Sequence, residues 1–256
     1  EGIALANLGL TYNFQGRIKD ARSHYESALA IVREQGDRTS ESTILGNLGG
    51  LYNEQGRIEE ARAHYEAALA ISREVGHRRA EGLALANLGI QLKGQGQMVE
   101  AGARLEAALA IAREVGDRSF EGRYLVSLGS LNQALDRKED AMVHFESALA
   151  IAREIDDRLL EGIALTNLGN LHCEQGRIEA AAEALVQGEA MLREIGTPTE
   201  LAMLLCARAK LEDRRGEVAR ARTTLHEAAV LADQSGAGPN SELALELAEL
   251  RQALGE

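Results

Sequence analysis

The chain has 256 residues, 45% hydrophobic and 27% charged, which is too apolar for a disordered tail; with 3% aromatics and two prolines it suits an Ala/Leu-rich helical protein and excludes a sandwich or barrel. A net charge of −12 and a pI of about 5.1 argue against a nucleic-acid backbone as partner. No run of eighteen apolar residues predicts a membrane span, no signal peptide opens the chain, and two cysteines, Cys173 and Cys206, fit a reducing, cytoplasmic setting rather than a disulfide framework.

From its first residue the chain is periodic. Residues 1–40 and 41–80 share 24 identical positions without a gap, and the pattern continues through 81–120, 121–160 and 161–200 before weakening in 201–236. Ala21, Ala61, Ala101, Ala141, Ala181 and Ala221 keep step through all six units. Because Glu1 stands already in phase and without a methionine, the chain is expected to be a piece of a longer protein. A period of this length means a structural unit repeated in space, and it overrides any domain count based on length.

Each unit reads as two helices. In the second unit the first helix starts at Asp37, a candidate N-cap, with Glu41 in the early turns where the helix dipole favours an acid, and it stops at Gly56. His77, Asp117, Asp157 and Thr197 stand in the equivalent cap positions, the last followed by Pro198. "RIEEARAHYEAALAISREVG" gives the second helix, closed by Gly76. Leu45, Leu48, Gly49 and Tyr52 share one side of the first helix, and Ile58, Ala61, Tyr65, Ala68 and Leu69 share one side of the second. Neither stripe can be buried alone, and the short connections force antiparallel neighbours, so the pairs must stack as a solenoid. Gly9, Gly49, Gly89, Gly129 and Gly169 fall on the buried side, where a missing side chain lets the paired helix come close. In the fourth unit Asp136 and Asp156 replace the turn glycines; Asp tolerates the left-handed conformation these turns need. The sixth unit replaces Leu-Gly by Arg208-Ala209, and a last amphipathic helix, about 241–254, reads as a cap or as the first half of a seventh unit.

Leu8-Gly9, Tyr12, Gly16, Ala21, Tyr25 and Ala28 resemble the spaced signature of the tetratricopeptide repeat, with Leu5 where that family often has tryptophan. The 40-residue spacing and the "NLGN" joint are similar to the Leu-Gly-Asn repeat adaptors, to kinesin light chains and to repeat arms of bacterial signalling ATPases. The resemblance covers residues 1–236. It implies one all-α, right-handed superhelical solenoid of antiparallel helix pairs, a protein-interaction scaffold whose concave groove is lined by the first helices. A protein or peptide is then the expected partner, with no nucleic acid and no membrane, and with no reading of the oligomeric state.

On the side of the first helix opposite the buried stripe, the recurring residue is Asn: Asn7, Asn47, Asn87 and Asn167, with Ser127 in the fourth unit. A second row runs Asn13, Asn53, Lys93, Gln133 and Cys173. An amide both donates and accepts, so it can hold the backbone of a bound peptide without demanding a particular side chain. The competing reading is that these amides bond to neighbouring helices and tune the superhelix. Lys93, Arg104, Arg123, Lys210 and Arg214 lie on or near the groove and suit a partner with acidic residues. Ile3, Leu10, Leu83, Ile90, Ile163 and Met203 are candidate anchor pockets or residues covered by neighbouring coils.

Chemistry is sparse. His24, His64 and His144 recur once per unit, and helices pack at about 8–10 Å, so one histidine per layer cannot meet around a metal. "HCE" at 172–174 lacks the second half of a zinc deaminase signature, and "GQG" at 94–96 lacks the Lys-Ser/Thr of a phosphate loop. The carboxylates, mostly four residues from an arginine, read as solvated helix faces. No nucleophile–base arrangement appears, so neither an enzyme nor a cofactor or metal site is expected. The alternative reading is a regulatory or sensor arm of a larger signalling ATPase, kinase or transcription activator.

Overall fold

The computed structural model describes residues 1–235, 238 and 241–255, with the side chain of Phe14 left aside. The expected end of the sixth unit at residue 236 therefore lies outside the described residues. All regular structure among them is α-helical: α1 (Gly2–Phe14), α2 (Ile18–Glu34), α3 (Arg38–Glu54), α4 (Ile58–Glu74), α5 (Arg78–Gly94), α6 (Met98–Val115), α7 (Arg118–Ala134), α8 (Lys138–Glu154), α9 (Arg158–Glu174), α10 (Ile178–Ile195), α11 (Pro198–Arg214), α12 (Val218–Ser235) and α13 (Glu242–Leu254). The chain divides into two compact units, Glu1–Asp117 with α1–α6 and Arg118–Glu256 with α7–α13.

The helix α4 shows how the sequence dictates each element. Glu59 and Glu60 in its first turn and Arg73 in its last complement the helix dipole. Ala61, Tyr65, Ala68 and Leu69 recur at helical spacing and are buried against α3. Gly76 ends the helix at φ +69°, and the His77 N–H donates to the Ser72 carbonyl at 2.8 Å, satisfying a carbonyl the helix would otherwise orphan. In the second unit Asp136 and Asp156 hold the same left-handed conformation at φ 56° and 55°. At the other end, Asp37 caps α3 by accepting from the Ser40 N–H at 3.0 Å, and Asp157 caps α9 through the Leu160 N–H at 2.9 Å. His77 and Thr197 do not cap with their side chains, contrary to the sequence expectation; His77 Nδ1 and Thr197 Oγ1 are buried without a partner among the described residues.

Consecutive helices pack as antiparallel hairpins, and the repeated glycines set how closely. A Cβ on Gly49 would lie 2.5 Å from Cε1 of Tyr65, and one on Gly129 would lie 2.5 Å from Cε1 of Phe145. Gly9 faces Tyr25 in the same way, Gly89 faces Leu105 and Gly169 faces Leu185, so the first helix of each of these five hairpins presents bare backbone to one large side chain of its partner. The rings and leucines seated there are buried, each contributing on the order of 2 kcal/mol. That gain offsets the weak helix propensity of glycine, which costs about 1 kcal/mol.

A ladder of charge ties one hairpin to the next. Glu41 lies at the start of α3 yet is buried, accepting from Arg33 Nε of α2 at 2.8 Å and from Arg38 Nη1 at 2.6 Å, while Arg38 also reaches Glu74 of α4 at 2.7 Å. Arg73, Glu81, Arg78 and Glu114 repeat the arrangement one forty-residue repeat on. Glu41 and Glu81 are thus not on solvated helix faces, as the sequence reading has the carboxylates; each is buried between arginines eight and three residues before it. Burial pushes the Glu41 carboxyl up, but the bonds from Arg33 and Arg38 outweigh it and hold the group below the ordinary carboxylate range.

The last helix closes the second unit. Leu243, Leu247, Leu250 and Leu254 of α13 are buried in one core with residues of α9 to α12. Lys210 of α11 pairs with Glu246, and Arg222 of α12 donates through Nε to the Leu254 carbonyl at 3.1 Å.

Candidate functional site

In the first unit α3 touches both α1 and α5, whereas α2, α4 and α6 do not touch one another. The first helices therefore lie on the inside of a curve, and their outward side chains line a trough. The second unit has the same order, with α7, α9 and α11 on the inside.

The first unit's trough carries Asn7, Asn47 and Asn87 in register on α1, α3 and α5. Asn7 is exposed and the other two are half-buried. None of the three side chains makes a hydrogen bond with the described residues. Asn47 is flanked by Gly46 and Gly50: nothing lies within 4 Å of a Cβ placed on Gly46, and only the Tyr65 hydroxyl, at 3.9 Å, approaches one placed on Gly50. The result is a notch in the floor of the trough at the middle repeat. Ile3, Leu10 and Ile90 stand exposed around it, and Leu83 is half-buried.

The second row behaves differently. Asn13 Nδ2 donates to Glu54 Oε1 at 3.3 Å, a bond from one repeat to the next, which is the role the competing reading gave these amides. Asn53 is exposed, and Lys93 is half-buried and engaged within the protein. Glu54 stands in the trough with no cation bound to it among the described residues. Desolvation raises its carboxyl pKa, opposed only by the Asn13 bond. Its charge reaches two phenols: burial first, and Glu54 second, push Tyr25 up to about 12 and raise Tyr65 further.

In the second unit most of the expected groove residues are spent internally. Ser127 Oγ donates to the Arg123 carbonyl at 3.2 Å, Asn167 Nδ2 to the Ile163 carbonyl at 2.9 Å, and Gln133 Nε2 to Glu174 Oε1 at 2.7 Å. Arg123 is exposed, with a guanidinium nitrogen 3.9 Å from the Asp157 carboxylate. Cys173, expected on the inner face, and Cys206 are sealed at 1% and 0% exposure. Burial raises both thiols, Cys206 to about 12, which removes them from thiolate chemistry near neutral pH. The basic strip also shrinks, because Lys210 is committed to Glu246. Ile163 and Met203 are half-buried.

The in-phase histidines are structural. His24, His64 and His144 each place Nδ1 2.7–2.8 Å from the carbonyl four residues earlier, and the first two lie against the rings of Tyr12 and Tyr52 at 4.9 Å. Among the described residues no three His, Cys, Asp or Glu groups gather as a metal site, and no helix is long and apolar enough to cross a membrane. Sequence reading missed Glu54 and the notch at Gly46 and Gly50. The signal was there, since these positions share the inner side of the helix with Asn47, but attention to residues that recur in most repeats hides glycines found in one repeat and a glutamate found in two, as Glu54 and Glu174.

Comparison with known proteins gives the frame for this surface. No curated protein matches the sequence. Among solved structures, the Rap protein complexed with competence and sporulation factor superposes with a TM-score of 0.73 at 18% identity, over 98% of this chain and 75% of that one. A signal transduction ATPase with numerous domains and a tetratricopeptide repeat sensor, from Pyrococcus horikoshii, gives 0.70 at 17% identity, over 99% of this chain and 42% of that one. The Cut9–Hcn1 hetero-tetramer of the APC/C gives 0.69 at 19% identity, over 100% of this chain and 43% of that one. At these identities the likeness concerns the fold. The family model of the tetratricopeptide repeat matches residues 1–74, 80–154 and 143–194, well over half of the sequence. Hairpins seated on glycine, a 40-residue period and this match together make the chain a member of the tetratricopeptide repeat family.

Proposed function

We propose that this chain is a protein-interaction scaffold that holds an extended peptide segment of a partner protein in the trough of its first unit. The observation that carries the reading is the pair Asn47 and Asn87: two amides, one repeat apart, facing the trough with no internal partner beside a notch that lacks side chains. Two amides in register can each accept from and donate to a peptide backbone, giving affinity that depends little on partner sequence. Asn7 extends the row by one repeat, and Leu10 and Ile90 offer apolar contact on either side. The likeness to a Rap protein complexed with competence and sporulation factor supports this fold as one that can hold a ligand.

The test is a phage-displayed library of random octapeptides panned on the whole chain, with affinities then measured on synthetic peptides. Each lost amide contact is worth about 1 kcal/mol, so Asn47→Ala combined with Asn87→Ala should weaken binding by about tenfold or more. Helicity and melting temperature should stay unchanged. Equal loss of fold and binding would return these asparagines to a structural role.

A second reading, a regulatory arm of a longer signalling protein, is favoured by the likeness to the Pyrococcus horikoshii ATPase, of which this chain spans 42%. A nucleotide-binding or DNA-binding segment in the same gene would support it.

A further inference from the structure

The trough of the first unit carries more than backbone contacts. Glu54, at the end of α3, is a carboxylate without a counter-ion among the described residues, and it uses one of its acceptor sites on Asn13. A carboxylate can accept about four hydrogen bonds, so most of its capacity is unspent. Beside it, the Tyr65 ring is 3% exposed and packs under Gly49, while its hydroxyl reaches toward the open face at Gly50 and has no hydrogen-bond partner among the described residues. A phenol with a buried ring and an unpartnered hydroxyl beside a glycine notch is open to a polar partner from outside.

We infer that this end of the trough is a subsite for a lysine or arginine side chain of the bound peptide, the cation seated on Glu54 and within reach of the Tyr65 hydroxyl, with Gly46 and Gly50 giving it passage. The inference rests on the peptide-binding reading above and deepens it by naming the side chain that is selected. It reverses the sign expected from the sequence, where Lys93, Arg123 and other cations suggested an acidic partner. Lys93 is engaged within the protein, so the unmatched charge at this point of the surface is negative. The positive charge of a bound ammonium or guanidinium would offset the desolvation that raises the Glu54 carboxyl. Charge-assisted bonds of this kind are among the stronger polar contacts.

The experiment uses the octapeptide library on three forms of the whole chain: unaltered, Glu54→Gln, and the Asn47→Ala/Asn87→Ala double variant. The unaltered chain should select Lys or Arg at one position, and a Lys peptide should bind about tenfold tighter than its Gln counterpart. In Glu54→Gln that preference should fall below about twofold while overall peptide binding persists. Tyr65→Phe should fall between the two. Because Gln in place of Glu54 could disturb α3, Glu54→Lys is paired with Glu-containing peptides, and the preference should invert. Peptides that depend on Asn47 and Asn87 but show no basic position, or a basic preference that survives Glu54→Gln, overturn the subsite and leave the proposed function standing. Failure to retain any peptide overturns both.

Discussion

The two units are built from the same repeat, yet their inner faces differ. Where the first unit has Gly46 and Gly50 on α3, the second has Thr166 and Asn170 at the matching places on α9, and where the first has an open notch, the second has Thr166 Oγ1 bonded to the Gly162 carbonyl at 2.8 Å and Asn170 Oδ1 buried. Asn47 faces outward without an internal bond, while Asn167 donates to its own helix. One feature is shared: Glu54 and Glu174 each accept an amide from the preceding repeat, from Asn13 at 3.3 Å and from Gln133 at 2.7 Å. The helix hairpin is indifferent to these changes, because its stability resides in the opposite stripe. A repeat thus separates two tasks by helix face, and two or three residues on the free face decide whether a unit can receive a ligand.

The largest expected effect tests the shared scaffold. Gly49→Ala and Gly129→Ala should each cost about 3 kcal/mol, because the added Cβ meets an aromatic ring with no room to retreat. Chemical denaturation should show similar losses for both. A much smaller loss at one of them would mean that the units are not built alike.

A middle-sized effect separates the two units through the carboxylates at the head of α3 and α9, of which Glu41 is buried and Glu161 half-buried. Glu41 accepts from two arginines, whereas Glu161 is held by Arg153 at 2.7 Å. Glu41→Gln should cost about 2 kcal/mol, below the usual figure for a broken buried pair because both arginines are partly solvated. Glu161→Gln should cost less than about 1 kcal/mol. Since the folded Glu41 carboxyl titrates below its unfolded value, its contribution is complete above the unfolded carboxylate range. It drains away as pH falls from about 4.3 through the folded value. Denaturation followed with pH should lose that acid-sensitive part in Glu41→Gln, and an unchanged acid limb would refute the assignment.

The smallest effect converts one trough into the other. Gly46→Thr with Gly50→Asn places the second unit's residues in the first, and peptide binding should fall by about tenfold. Stability should hold or rise by a few tenths of a kcal/mol, since glycine is the weaker helix former. Retained binding would show that the notch is not where a peptide sits.

Most of the fold was legible in the sequence because it rests on local rules: turn glycines, apolar stripes, an Asp at the head of α3 and α9, and glycines opposite rings. Asp136 and Asp156 could be placed in the left-handed region from their alignment with glycines alone. The misreadings share one cause, which is that contacts between repeats have no short-range signature. Arg33 and Glu41 are eight residues apart and across a turn, so helix-face arithmetic assigns them to different surfaces. Cys173 and Cys206 fall on the inner side by angle, yet they are sealed in the core shared by α9 to α13. The asparagine rows look alike in the sequence, but Asn13 is spent on Glu54 and Asn47 is not, a distinction set by which residue the next repeat happens to carry.

The bridge running from Arg33 to Glu41 and from Arg38 to Glu74 has a consequence for how such proteins change length. Removing residues 41–80 would bring Glu81 into the place of Glu41 and Glu114 into that of Glu74, with every spacing kept, whereas a cut of 39 or 41 would strand each arginine opposite the wrong neighbour. The protein is in this sense quantised. Its lineage is free to gain or shed whole forty-residue modules, and a graft between arrays will fit only where the ends of the donor fall on the same beat.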